Sequence, residues 1–151
     1  MLVVPLCAWA VAQIAKMVIT LITEREVRLD RLFGDGGMPS GHSATVSALC
    51  VTVGYTAGLG SAVFALSVIL AIIVMHDATG VRRETGKQAL TILDIVNAIN
   101  DMAKEKNRIV QHEKLKTFVG HSPVQVVFGA LTGVAVAALY ILLAHPAPFY
   151  A

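Results

Sequence analysis

The chain has 151 residues, 56% of them hydrophobic and 15% charged, with a formal charge of +2 and a mean hydropathy of +0.70. Two cysteines, Cys7 and Cys50, exclude a disulfide scaffold, and so small and mixed a charge excludes a nucleic-acid partner. The apolar content excludes both disorder and an ordinary soluble domain, in which about a quarter of the residues are charged; what is left is a small integral membrane protein with one domain, residues 1–151.

The first element is an apolar run from about Leu2 to Ile22, interrupted by the single charge Lys16. It lacks the basic start of a signal peptide and carries an internal lysine, so it reads as a retained spanning helix of about 20 residues. A charged stretch, Glu24 to Asp35, follows. Two shorter apolar runs, Ser43 to Leu59 and Ser61 to His76, flank the turn sequence Gly58-Leu59-Gly60-Ser61 and predict a helical hairpin. From Glu84 to Lys106, Ala89, Ile92, Leu93, Val96, Ile99 and Ala103 recur three and four apart among charges, the pattern of an amphipathic helix. The last apolar run is Val124 to Ala144. Gly54 with Gly58, and Gly129 with Gly133, are small-xxx-small pairs that let membrane helices approach closely. The expected fold is all-α: a membrane bundle of about four spanning helices plus one amphipathic helix.

The charges orient it. Four crossings put Arg25, Arg28, Arg31, Arg82, Arg83, Lys87, Lys104, Lys106, Arg108, Lys114 and Lys116 on one side of the membrane and no lysine or arginine on the other. The positive-inside rule makes the basic side cytoplasmic, in a multi-pass protein of the cell membrane with both termini outside. So thin a bundle is compatible with a homodimer through the glycine faces or the amphipathic helix.

Three clusters fall at the cytoplasmic helix ends. In Gly36-Gly37-Met38-Pro39-Ser40-Gly41-His42-Ser43, glycines permit unusual backbone angles, a helix start offers free N–H groups, Ser40 adds a hydroxyl and His42 an ionisable ring. Pro39 and Ser40 are also ordinary helix-start residues, but a cap alone does not need the glycines and the histidine. In His76-Asp77-Ala78-Thr79-Gly80-Val81-Arg82-Arg83, an aspartate at the membrane boundary calls for a partner, and two arginines follow. In Gly120-His121-Ser122-Pro123-Val124-Gln125, a histidine precedes an uncharged helix with Pro123 in its first turn. Lys16, inside the membrane, needs an anion, which a phosphate would supply.

The strings Gly37-Met38-Pro39-Ser40-Gly41-His42-Ser43 and Gly120-His121-Ser122-Pro123-Val124-Gln125-Val126-Val127-Phe128-Gly129 resemble the second and third signatures of the type 2 phosphatidic acid phosphatase superfamily, which also contains vanadium haloperoxidases. With Asp77-Ala78-Thr79-Gly80-Val81-Arg82-Arg83 between them, almost the whole chain looks like the small, divergent bacterial branch of that superfamily. The resemblance implies a metal-independent lipid phosphate or diphosphate phosphatase without a cofactor. His121 would be the nucleophile and His42 the acid and base, while Lys16, Ser40, Gly41 and Arg82 or Arg83 would hold the phosphate. Candidate substrates are phosphatidylglycerol phosphate, phosphatidic acid and polyprenyl diphosphate.

The departures are specific. Lys16 is followed by Arg25 after eight residues and no proline, position 115 is leucine where an arginine is usual, and Gln125 stands where an acid orients the nucleophile. A glutamine carbonyl accepts a hydrogen bond from imidazole but brings no charge, and Asp77 is a candidate to compensate. A phosphate- or headgroup-binding or transport protein with weakened chemistry is the alternative this glutamine favours.

Overall fold

The structure, a computed structural model, describes residues 2–25, 37–103 and 120–144. These form five helices: α1 (Val3–Glu24), α2 (Gly41–Ala57), α3 (Ala62–Thr79), α4 (Val81–Ala103) and α5 (Pro123–Ala144), with no strand among the described residues. Arg28, Arg31, Leu115 and the expected end of the amphipathic helix at Lys106 lie outside the described residues.

The polarity of the bundle is that of a protein dissolved in lipid. Its interior is built from small residues, with Val4, Ala8 and Ala12 of α1 meeting Ala44 and Ala48 of α2 and Ala137 of α5. Large aliphatic side chains such as Leu6, Ile14, Ile72 and Leu142 point outward. In a bilayer the lipid is as apolar as leucine, so helices associate through close packing of small residues rather than by hiding large ones. Three helical stretches, Val3–Thr23, Ala62–Met102 and Pro123–Ala144, are long and apolar enough to cross a membrane. With its 17 residues, α2 spans about 26 Å, a little less than the hydrocarbon core of about 30 Å. It lies at the centre of the bundle, packed against α1, α3 and α5.

Two buried threonine hydroxyls on α2 are satisfied by its own backbone. Thr52 donates to the Ala48 carbonyl at 2.7 Å and Thr56 to the Thr52 carbonyl at 2.8 Å, as a water-free interior demands. The closest approach in the bundle is α5 on α2. A Cβ at Gly129 would overlap the Ser40 carbonyl oxygen, and one at Gly133 the Ala44 carbonyl oxygen. The glycine pair in α5 is therefore an interface with α2. Gly54, by contrast, faces Phe64 across the α2–α3 hairpin, where an added Cβ would meet its ring at 3.0 Å. Gly58 takes a positive φ of 81° to turn the chain, and Ser61 caps α3 by accepting from the Phe64 N–H.

The amphipathic helix starts at Val81, three residues before the expected Glu84. The glycine before it does not stop the hydrogen-bond ladder: the Gly80 N–H donates to the His76 carbonyl at 2.8 Å, and the Glu84 N–H to the Gly80 carbonyl at 3.0 Å. Gly80 has φ −98° and ψ −94° and caps α3, so a single residue separates α3 from α4.

Candidate active site

Three backbone junctions bring the sequence clusters together. The turn before α2 is tied to α5 by the Ser40 N–H, which donates to the Gln125 carbonyl at 3.0 Å. The segment before α5 is tied to α3 by the His121 N–H, which donates to the Ala78 carbonyl at 2.9 Å. Gly120 makes the second contact possible. Its φ of +88° is a left-handed conformation, and a Cβ on it would run into the backbone of Arg82 and Arg83. The third junction is α1 on the turn. The Lys16 side chain lies along Gly37, its Cδ 3.2 Å from where a Cβ would stand, and Gly37 has a φ of +96°.

The two histidines meet as a result. Their rings are 5.9 Å apart between centroids, at an interplanar angle of 64°. His121 is 1% exposed and Lys16 3%. Burial pushes the His121 pKa below its ordinary 6.5; nearby His42 and Lys16 lower it further, outweighing the opposite influence of the Gln125 side chain and the Gly37 backbone. Neither ring nitrogen has a hydrogen bond of good geometry, so Gln125 and Gly37 are polar neighbours of the ring and not its tethers. The lowered pKa favours the neutral imidazole, in which one nitrogen carries a proton and the other a free lone pair, and the residue is held by its backbone.

Ser40 is the N-cap of α2. Its oxygen accepts from the Ser43 N–H at 3.3 Å and the Ser43 hydroxyl at 3.1 Å. A hydroxyl has two acceptor positions and one proton to give, and these two contacts fill the acceptor positions of Ser40. Gly41 opens the helix, and a Cβ there would meet Trp9 Cδ1 at 3.2 Å.

Gln125, whose side chain also bears on the His121 ring, has a capping role beyond the expected one. Its Oε1 accepts from the Ser122 N–H at 3.0 Å, and its own N–H donates to the Ser122 hydroxyl at 3.4 Å. This is a capping box, Ser-x-x-Gln, with Pro123 at the first helical position. Asp77 turns away from the expected task of compensating for it. Its Oδ2 accepts from Arg82 Nε at 2.9 Å in a half-exposed pair, and the ionisable side chains that act on His121 are His42 and Lys16. Arg83 has an exposed side chain and meets the site through its backbone at Gly120. The cluster thus gathers Lys16, Ser40, Gly41, His42, Gln125 and His121, with the Asp77–Arg82 pair beside it.

One residue is missing from the sequence clusters. Gln13 is 8% exposed, one turn before Lys16, and its Oε1 is buried with no hydrogen-bond partner. Its signal is its spacing: a second polar residue, three before the lysine, in the otherwise apolar stretch from Val3 to Ile19.

A helical bundle with membrane-spanning helices thus gathers a buried lysine, two facing histidines and a helix N-terminus at one end. The chain matches the Divergent PAP2 family over residues 1–136 and belongs to that family. It is 43% identical over 135 residues, 85% of each chain, to the uncharacterized membrane protein YuiD of Bacillus subtilis. No solved structure matches it.

Proposed function

We propose that the protein is a lipid phosphatase, hydrolysing a lipid phosphate or diphosphate through a phosphohistidine on His121. The observation that carries this reading is the buried His121, kept neutral with both ring nitrogens unbonded, 5.9 Å from His42.

The chemistry follows from the groups. A phosphate at the start of α2 receives the Ser40 hydroxyl proton, the first N–H groups of the helix and the Lys16 ammonium, fixed donors aimed where charge develops. A ring nitrogen of His121 forms a bond to phosphorus as the bond to the leaving oxygen breaks, and His42 gives that oxygen a proton. Water then attacks the phosphohistidine, His42 takes the proton, and inorganic phosphate leaves with His121 neutral again. A histidine suits the second role because its pKa lies near working pH. Arg82 joins the phosphate by exchanging Asp77 for it.

A lipid substrate is supported by the position of the cluster at one end of helices long and apolar enough to cross a membrane. The asymmetry of lysine and arginine supports a cytoplasmic site. The test is phosphate release from phosphatidic acid and polyprenyl diphosphate in detergent. His121→Ala should abolish it, and radiolabelled substrate should leave label on wild type and none on the variant. Unchanged turnover in His121→Ala sinks the assignment.

A second reading, an anion-binding or transport protein, is favoured by one observation: Gln125 closes a helix cap and places no negative charge beside the nucleophile. Tight binding of phosphate without release from any lipid phosphate would select it.

A further inference from the structure

Gln13 has a role that the clusters do not assign. On α1 it lies three residues before Lys16, and both are buried. The two side chains face neighbouring parts of one turn: Lys16 runs along Gly37, and the Gln13 Cδ is 4.0 Å from the Cβ position of Gly41. Gly41 is the first residue of α2, whose opening N–H groups have no partners within the helix. Gln13 therefore stands where an anion at the N-terminus of α2 would be held. Its Oε1 is fully buried and unbonded, which is costly for an amide unless something satisfies it.

We infer that Gln13 is a further phosphate-holding residue, whose carboxamide donates an N–H to an oxygen of the phosphate at the start of α2. The inference rests on the phosphatase reading for the identity of the anion. A half-turn of the amide about its last side-chain bond exchanges Oε1 and Nε2 without changing its shape, so the position of the unpaired oxygen becomes that of a donor. Being neutral, it adds a directed hydrogen bond without a second buried cation beside Lys16. On this account α1 contributes two donors one turn apart, a charged one over Gly37 and a neutral one over Gly41.

The test is titration of inorganic orthovanadate, a phosphate-shaped anion, into the full-length protein in detergent, with affinity and unfolding temperature measured. Gln13→Met keeps the shape and removes the donor; Gln13→Glu keeps an acceptor and adds a negative charge. The expected order of affinity is wild type, then Met, then Glu. The Met variant should lose about tenfold, the worth of one hydrogen bond to a charged group. A structural acceptor role predicts the reverse, with Glu close to wild type and Met the weaker; that order overturns the inference. So does equal affinity in all three proteins, which leaves the phosphatase reading intact. Failure of the wild type to bind the anion overturns both. If Gln13→Glu does not fold, Met decides against Gln13→Asn, a shorter amide expected to bind more tightly than Met.

Discussion

A histidine that is to attack phosphorus must be neutral, reachable and held in place. At His121 the three demands are met by different parts of the residue: burial keeps the ring neutral, its nitrogens stay unbonded, and the backbone N–H fixes it to Ala78. A pH effect follows. The folded pKa lies below the ordinary 6.5, so as pH falls through that value the unfolded chain takes up a proton that the folded chain refuses. The stability contributed by a neutral His121 is complete above about pH 6.5 and declines as the pH falls towards the folded pKa. The unfolding temperature in detergent should drop on that acid limb, and His121→Ala should flatten the slope whatever it does to the plateau. Gln125 offers the complementary experiment. Gln125→Glu preserves the capping box, because glutamate fills the same position, and sets a negative charge beside the ring. The His121 pKa, followed by NMR, should rise. Gln125→Ala should instead cost on the order of 1 kcal/mol of stability through the lost cap. The Ser-x-x-Gln pattern is legible in the sequence, but its outcome is not. The Ser122 N–H and the His121 ring lie beside the same glutamine side chain, and only geometry shows the 3.0 Å bond from the Ser122 N–H to its oxygen.

At the scale of helices, α2 and α5 are joined by an absence of side chains. Gly129 and Gly133 sit on the carbonyl oxygens of Ser40 and Ala44, with no space for a Cβ. Gly133→Val should force the helices apart at a cost of roughly 1–3 kcal/mol or more. Because the same contact aligns Ser40 with Gln125, it should also lower anion affinity though no anion ligand is touched. Gly54→Ala meets the Phe64 ring and the Leu59 side chain, which can shift, and should be milder; unfolding temperatures of the two variants rank the effects. The spacing of these glycines implies that helices approach closely, and α5 bears this out. Spacing does not say which helix is the partner, since a small-xxx-small pair is symmetric in that respect. Gly80 is the boundary between α3 and α4, yet backbone hydrogen bonds bridge it and α4 begins at once.

For the whole molecule, hydropathy and charge segregation are enough to predict an all-α membrane bundle, because those properties are set by the solvent the chain must match. Orientation is the corresponding test. Reporter fusions at the N- and C-termini should be exported, and one inserted near Lys106 should remain in the cytoplasm; the opposite pattern would move the phosphate chemistry to the outer face. The meeting of His42 and His121 is legible in the sequence only as an expectation that three clusters share one end. Their actual distance depends on backbone contacts between helices remote in sequence, and local patterns carry no record of those.

The clasp of Gly120 and His121 on the α3–α4 joint makes one histidine a gauge of another pair of helices. The His121 N–H donates to the Ala78 carbonyl, and Gly120 lies against the backbone of Arg82 and Arg83. A tilt of α4 on α3 would therefore be read directly at the His121 ring.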